Sequence, residues 1–119
     1  MKINSRRLEP KSNKPNSIVF FIHGYGADGA DLLSIGDALS EHLPNTLFVA
    51  PDAPWKCSVS PSGFQWFPIP WLDGSSETEA AEKLALVSNE LDTWIDRTLE
   101  KESVMPKNAI LFGFSQGTM

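Results

Sequence analysis

Cysteine is almost absent: Cys57 stands alone, so no internal disulfide can brace the chain, a usage that fits a reducing compartment. Also missing is any run of about 18 consecutive apolar residues, the length a membrane-spanning helix requires. The first ten residues carry the positive charge of a secretory signal but no apolar stretch behind it. The expected location is therefore cytoplasmic, with no membrane span. Basic residues are few and scattered, 10 Lys and Arg against 15 Asp and Glu for a net charge of -5, and no stripe of them could neutralise a phosphate backbone. Nucleic acid is excluded as an expected partner. Internal repeats and low-complexity tracts are lacking as well. What is present is an ordinary globular composition, 41% hydrophobic and 21% charged over 119 residues, enough for one domain.

Apolar runs place the elements. Residues 1–17 are polar and carry Pro10 and Pro15, which predicts an arm or at most an edge strand. Residues 18–22, Ile-Val-Phe-Phe-Ile, are apolar without alternation, the pattern of a strand buried on both faces of a parallel sheet. A glycine-rich loop follows, Gly24 to Gly29. Leu32, Leu33, Ile35, Leu39 and Leu43 then recur at helical spacing until Pro44. Residues 46–50 form a second buried strand, which completes a βαβ unit.

Five of the nine prolines and three of the four tryptophans fall between residues 51 and 74. So long an irregular stretch with so greasy a content predicts a pocket wall. Ser76 and Glu79 form a capping-box pattern ahead of a helix whose stripe is Leu84, Val87, Leu91, Trp94, Ile95 and Leu99. A third buried strand, residues 109–112, runs directly into Gly113-Phe114-Ser115-Gln116-Gly117.

That last segment matches G-x-S-x-G, a sharp strand-to-helix turn that lifts a serine hydroxyl above the sheet. Its glycines are a steric demand, because the tight turn brings the two flanking positions together. The loop after the first buried strand, His23-Gly24-Tyr25-Gly26-Ala27-Asp28-Gly29, is placed to supply one backbone N–H to an oxyanion hole. The residue after the serine supplies the other. Tyr25 and Gln116 are the candidate donors, and Gly24 and Gly26 let the backbone approach a substrate. A rival reading exists, since Gly24, Gly26 and Gly29 also satisfy G-x-G-x-x-G, with Asp52 about twenty residues on, as in a Rossmann dinucleotide-binding unit. It explains neither the strand that feeds the serine motif nor the aromatic stretch after Asp52.

Four motifs in order, His23 to Gly29, then Val49-Ala50-Pro51-Asp52-Ala53-Pro54, then Gln65-Trp66-Phe67, then Gly113 to Gly117, resemble the phospholipase/carboxylesterase family, relatives of the acyl-protein thioesterases. The resemblance covers residues 18–119. It implies an α/β fold, the N-terminal part of an α/β-hydrolase with parallel strands and crossover helices, cut just after the nucleophile turn, and it puts the 18–22 strand between the other two. By the same resemblance Ser115 is the nucleophile, Tyr25 and Gln116 give the oxyanion amides, and Trp66 and Phe67 line the acyl pocket. The expected partner is a small ester or thioester substrate, with no cofactor and no metal.

A serine hydroxyl is a weak nucleophile without a histidine base and an acid to orient it, and in this fold both come after the serine. Only four residues follow Ser115 here. His23, at the mouth of the oxyanion loop, is expected to be structural, and His42 exposed at a helix end. The 119 residues by themselves are therefore expected to be inactive, marginally folded and prone to associate through the open 109–112 strand. The alternative is a non-catalytic remnant of such an enzyme.

Overall fold

The computed structural model describes residues 2–119. Six strands, β1 (Ser5–Leu8), β2 (Ser17–Ile22), β3 (Thr46–Pro51), β4 (Trp55–Lys56), β5 (Phe64–Gln65) and β6 (Ala109–Gly113), alternate with three helices, α1 (Gly29–Leu39), α2 (Pro70–Asp73) and α3 (Glu77–Glu102). The main sheet has the order β1-β3-β2-β6, with β2 parallel to both β3 and β6 and β1 antiparallel on the outer edge of β3. This is the α/β architecture the sequence implies, with β2 central. The N-terminal arm resolves into the edge strand.

The unbroken apolar runs of β2 and β3 are explained by helices on both faces. Ile18, Phe20, Ile22, Leu47 and Val49 point one way, toward Val87, Leu91, Trp94 and Leu99 of α3. Val19, Phe21, Phe48 and Ala50 point the other way, toward Leu32, Leu33 and Ile35 of α1. Each such side chain, fully buried, contributes roughly 1.5–3 kcal/mol of transfer free energy, so these two layers hold the domain together.

Three expectations are corrected by the backbone. First, α1 stops at Leu39, leaving Leu39 and Leu43 exposed rather than part of its stripe; Pro44 bars helical geometry from the residue before it. Gly36 takes the close position instead, where a Cβ would lie 2.9 Å from the Phe48 ring. Second, the capping box at α3 is half made: Glu79 N–H donates to Ser76 Oγ at 3.0 Å, but the Glu79 carboxylate turns toward Lys83. Leu84, at the same end of the helix, is exposed. Third, residues 51–74 are not wholly irregular. They hold the β4–β5 ribbon and α2, and the ribbon is stitched to the 24–29 loop by Gly26 N–H to Phe64 O and Phe64 N–H to Ala27 O, both 2.8 Å.

β6 forms the other edge of the sheet. Its Ile110 and Phe112, in register with Val19 and Phe21, face the α1 side, and Leu111 faces the α3 side; they are 58%, 43% and 61% exposed. Among the described residues no helix is long and apolar enough to cross a membrane.

Candidate active site

The serine motif forms the turn that its glycines demand. β6 pairs with β2 up to its end, and Phe114 N–H still reaches Ile22 O at 3.1 Å before the chain reverses into a 3-10 turn over Ser115–Thr118. Ser115 sits at the reversal with φ 55°, a left-handed conformation that non-glycine residues adopt only under surrounding constraint. The constraint is visible. A Cβ on Gly113 would lie 2.5 Å from Gly117 O, and one on Gly117 would overlap the Ile22 carbonyl.

Gly24 brings the 24–29 loop onto the same spot: a Cβ there would lie 3.2 Å from Ser115 Cβ and 3.3 Å from Phe114 O. The neighbouring N–H groups of Tyr25 and Gln116 enter no hydrogen bond among the described residues. Ser115 itself opens onto a groove of about 490 Å³ walled by Phe67, Ile69, Pro70 and Trp71 on one side and Ala80, Ala81 and Leu84 on the other, with Glu77 its one charged residue. The fold thus gathers Ser115, Tyr25, Gln116 and Phe67 at one end of the sheet. Trp66 lies beneath them, 3% exposed, beside a smaller cavity of about 60 Å³, and its indole N–H donates to His23 O at 2.8 Å.

His23 is wholly buried and both its nitrogens are engaged. Nδ1 meets Gly24 O at 2.7 Å, and a carbonyl can only accept, so Nδ1 carries the proton. Nε2 is then the acceptor for Ala53 N–H at 2.9 Å. Burial pushes the imidazole pKa below its ordinary value, opposed by the Gly24 hydrogen bond and by Asp52, Asp28 and Asp31. His23 is a neutral tie between the 24–29 loop and the segment just after β3, with no lone pair free to take a proton from Ser115. His42 is exposed in the turn after α1.

Three contacts at the site lie outside what the motifs predict. The Gln116 carboxamide bridges the aromatic segment, accepting Trp66 N–H at 3.0 Å and donating to Phe67 O at 2.8 Å. Tyr25 O–H donates to Asp73 Oδ2 at 3.0 Å, and Asp73 also accepts from Ile69 N–H, Ser75 N–H and Ser75 O–H. Burial would raise the Asp73 pKa, but the Ser75, Ile69 and Tyr25 donors outweigh it and hold the pKa at about 2. Burial, with Cys57 and Asp73 nearby, pushes the Tyr25 phenol up. Asp52 Oδ1 accepts Gly29 N–H at 2.7 Å and Asp28 caps Asp31 N–H at 3.1 Å, so carboxylates fill the α1 N-terminus where a dinucleotide pyrophosphate would have to bind. No local pattern announces the Asp73 contact, which joins residues 48 positions apart. Gln116 was legible as a motif residue, though not for its side chain.

Among the described residues no group of three or more His, Cys, Asp or Glu side chains could hold a metal ion.

Comparison with known proteins bears on the fold and the family. The chain is 26% identical to acyl-protein thioesterase 1 of Kluyveromyces lactis over 123 aligned residues, covering 98% of this chain and 53% of that protein. It superposes on the crystal structure of esterase PE8 with a TM-score of 0.86 and 35% identity, covering 100% of this chain and 55% of that one. YahD, solved with malic acid, shares the fold at TM-score 0.71 and 16% identity, with 98% of this chain and 53% of YahD aligned. The chain thus spans about half the length of the relatives it matches. The phospholipase/carboxylesterase family model matches residues 4–119, and the chain belongs to that family, with an α/β-hydrolase fold.

Proposed function

We propose that this chain carries the nucleophile half of a serine hydrolase acting on carboxylic esters or thioesters, with Ser115 as nucleophile. The observation that carries the reading is the left-handed Ser115, packed against Gly24 of the oxyanion loop and open to an apolar groove. Ser115 Oγ attacks the acyl carbonyl carbon and passes its proton to a base. Negative charge moves to the carbonyl oxygen, where the Tyr25 and Gln116 N–H groups receive it; losing one such donor typically costs about 3 kcal/mol. Collapse expels the alcohol or thiol and leaves an acyl-serine, which water hydrolyses. The acyl chain lies along Phe67, Ile69 and Trp71.

Neither histidine of these 119 residues fits the base, His23 because both nitrogens are committed and His42 because it lies away from the site after α1. The 119-residue chain alone is therefore expected to be inactive, its base and acid coming from outside it. A fluorophosphonate probe applied to this chain and to Ser115→Ala tests this. Absence of labelling in a folded sample is the expected result, whereas labelling that depends on Ser115 would show that a base acts from within or from a second copy.

A further inference from the structure

Tyr25 stands between two glycines, Gly24 against Ser115 and Gly26 at φ 82°. A peptide flanked in this way has wide rotational freedom unless its surroundings restrain it. The peptides on either side of Tyr25 are held by His23 Nδ1–H on Gly24 O at 2.7 Å, Ala27 N–H on the same oxygen at 3.3 Å and Gly26 N–H on Phe64 O at 2.8 Å. The Tyr25 side chain adds a further restraint, its hydroxyl donating to Asp73 at 3.0 Å. Asp73 is itself fixed from three other directions, by Ile69 N–H at 2.8 Å, Ser75 N–H at 3.0 Å and Ser75 O–H at 2.5 Å. Four donors on one carboxylate make it an anchor, and charge-assisted bonds of this kind are roughly twice as strong as neutral ones.

We propose that Asp73 is a positioning residue for the oxyanion hole: it holds the Tyr25 side chain so that the Tyr25 backbone N–H faces the oxygen bound at Ser115. This rests on the reading of Ser115, Tyr25 and Gln116 given above. Asp73 is also the last residue of α2, and Ile69, Pro70 and Trp71 beside it wall the groove. The acyl wall and the oxyanion loop are thereby one mechanical unit. A substrate that fills the groove presses on the same one-turn helix that steadies Tyr25.

Tyr25 is the single tyrosine of the chain, so [15N]tyrosine labelling yields one backbone amide resonance, that of the N–H in question. Butylboronic acid is the probe: the Ser115 oxygen adds to boron, the hydroxyl proton leaves to solvent, and the tetrahedral boronate mimics the oxyanion. Occupancy is followed by the 11B resonance, in a Leu111→Lys background that discourages association at β6. In this background the Tyr25 amide should shift on boronate addition, and Ser115→Ala should abolish the shift. Asp73→Asn should displace the Tyr25 amide in the free protein and weaken boronate binding by about tenfold to a hundredfold, the scale of a small misplacement. Tyr25→Phe, which keeps the amide and the other Asp73 bonds, should weaken it equally, and the double variant should lose no more than either. Boronate binding unchanged in Asp73→Asn or in Tyr25→Phe overturns the proposal and leaves the reading of the hole intact. A Tyr25 amide that stays in place while the 11B resonance shows the tetrahedral adduct, or that shifts equally in Ser115→Ala, overturns both.

Discussion

The Gln116 side-chain carbonyl accepts the Trp66 backbone N–H at 3.0 Å, and the amide end of the same side chain donates to Phe67 O at 2.8 Å. A residue adjacent to Ser115 thus splints the groove wall as a neighbouring strand would. Gln116→Ala leaves a buried N–H and a carbonyl without partners, at about 1–3 kcal/mol each. We expect stability to fall by about 2–3 kcal/mol, read as a lower urea midpoint followed by tryptophan fluorescence. An unchanged midpoint would mean that the bridge does not form in solution.

His23 links stability to pH. Its folded pKa is depressed by burial, so the unfolded chain binds the proton more readily once pH falls below the ordinary value of about 6.5. The contribution is complete above that pH and is lost as pH falls toward the depressed folded value. Urea midpoints should drop between pH 7.5 and 5.5. In His23→Gln most of that slope should vanish, and a slope that persists would place its origin elsewhere.

Gly117 and Gly74 should respond unequally to alanine. A Cβ on Gly117 meets the Ile22 and His23 carbonyls, while one on Gly74 meets nothing within 4 Å and faces only the strain of φ 76°. Gly74→Ala should cost on the order of 1 kcal/mol. Gly117→Ala must displace backbone, at about 3 kcal/mol or more, near the top of the range for point changes. Thermal unfolding of the two variants side by side would reveal whether the order is reversed.

The open β6 edge predicts association. Ile110, Leu111 and Phe112 present apolar side chains on both faces next to unpaired backbone, a template for another chain. Leu111→Lys should shift the sedimentation profile toward monomer while moving the unfolding midpoint by under about 0.5 kcal/mol, as for an exposed site. Equal association in both proteins would remove β6 as the contact.

Strands β2, β3 and β6, the start of α1, the buried face of α3 and the serine turn were all legible in the residues, because each depends on spacing within a few positions. Two-sided burial selects continuous apolar runs, and a left-handed Ser115 leaves no room for side chains at Gly113 and Gly117. The short elements between residues 51 and 74 were not legible, since two-residue strands and a one-turn helix carry no period and are tied to the 24–29 loop by contacts distant in sequence. Nor were the commitment of both His23 nitrogens, the inward turn of Trp66, the Gln116 bridge or the Tyr25–Asp73 contact. The sequence by itself determined which backbone segments fold and where the serine turn falls. Tertiary structure alone decided which polar groups meet across 30 to 50 positions, because such bonds form only after the sheet has brought the loop ends to one edge.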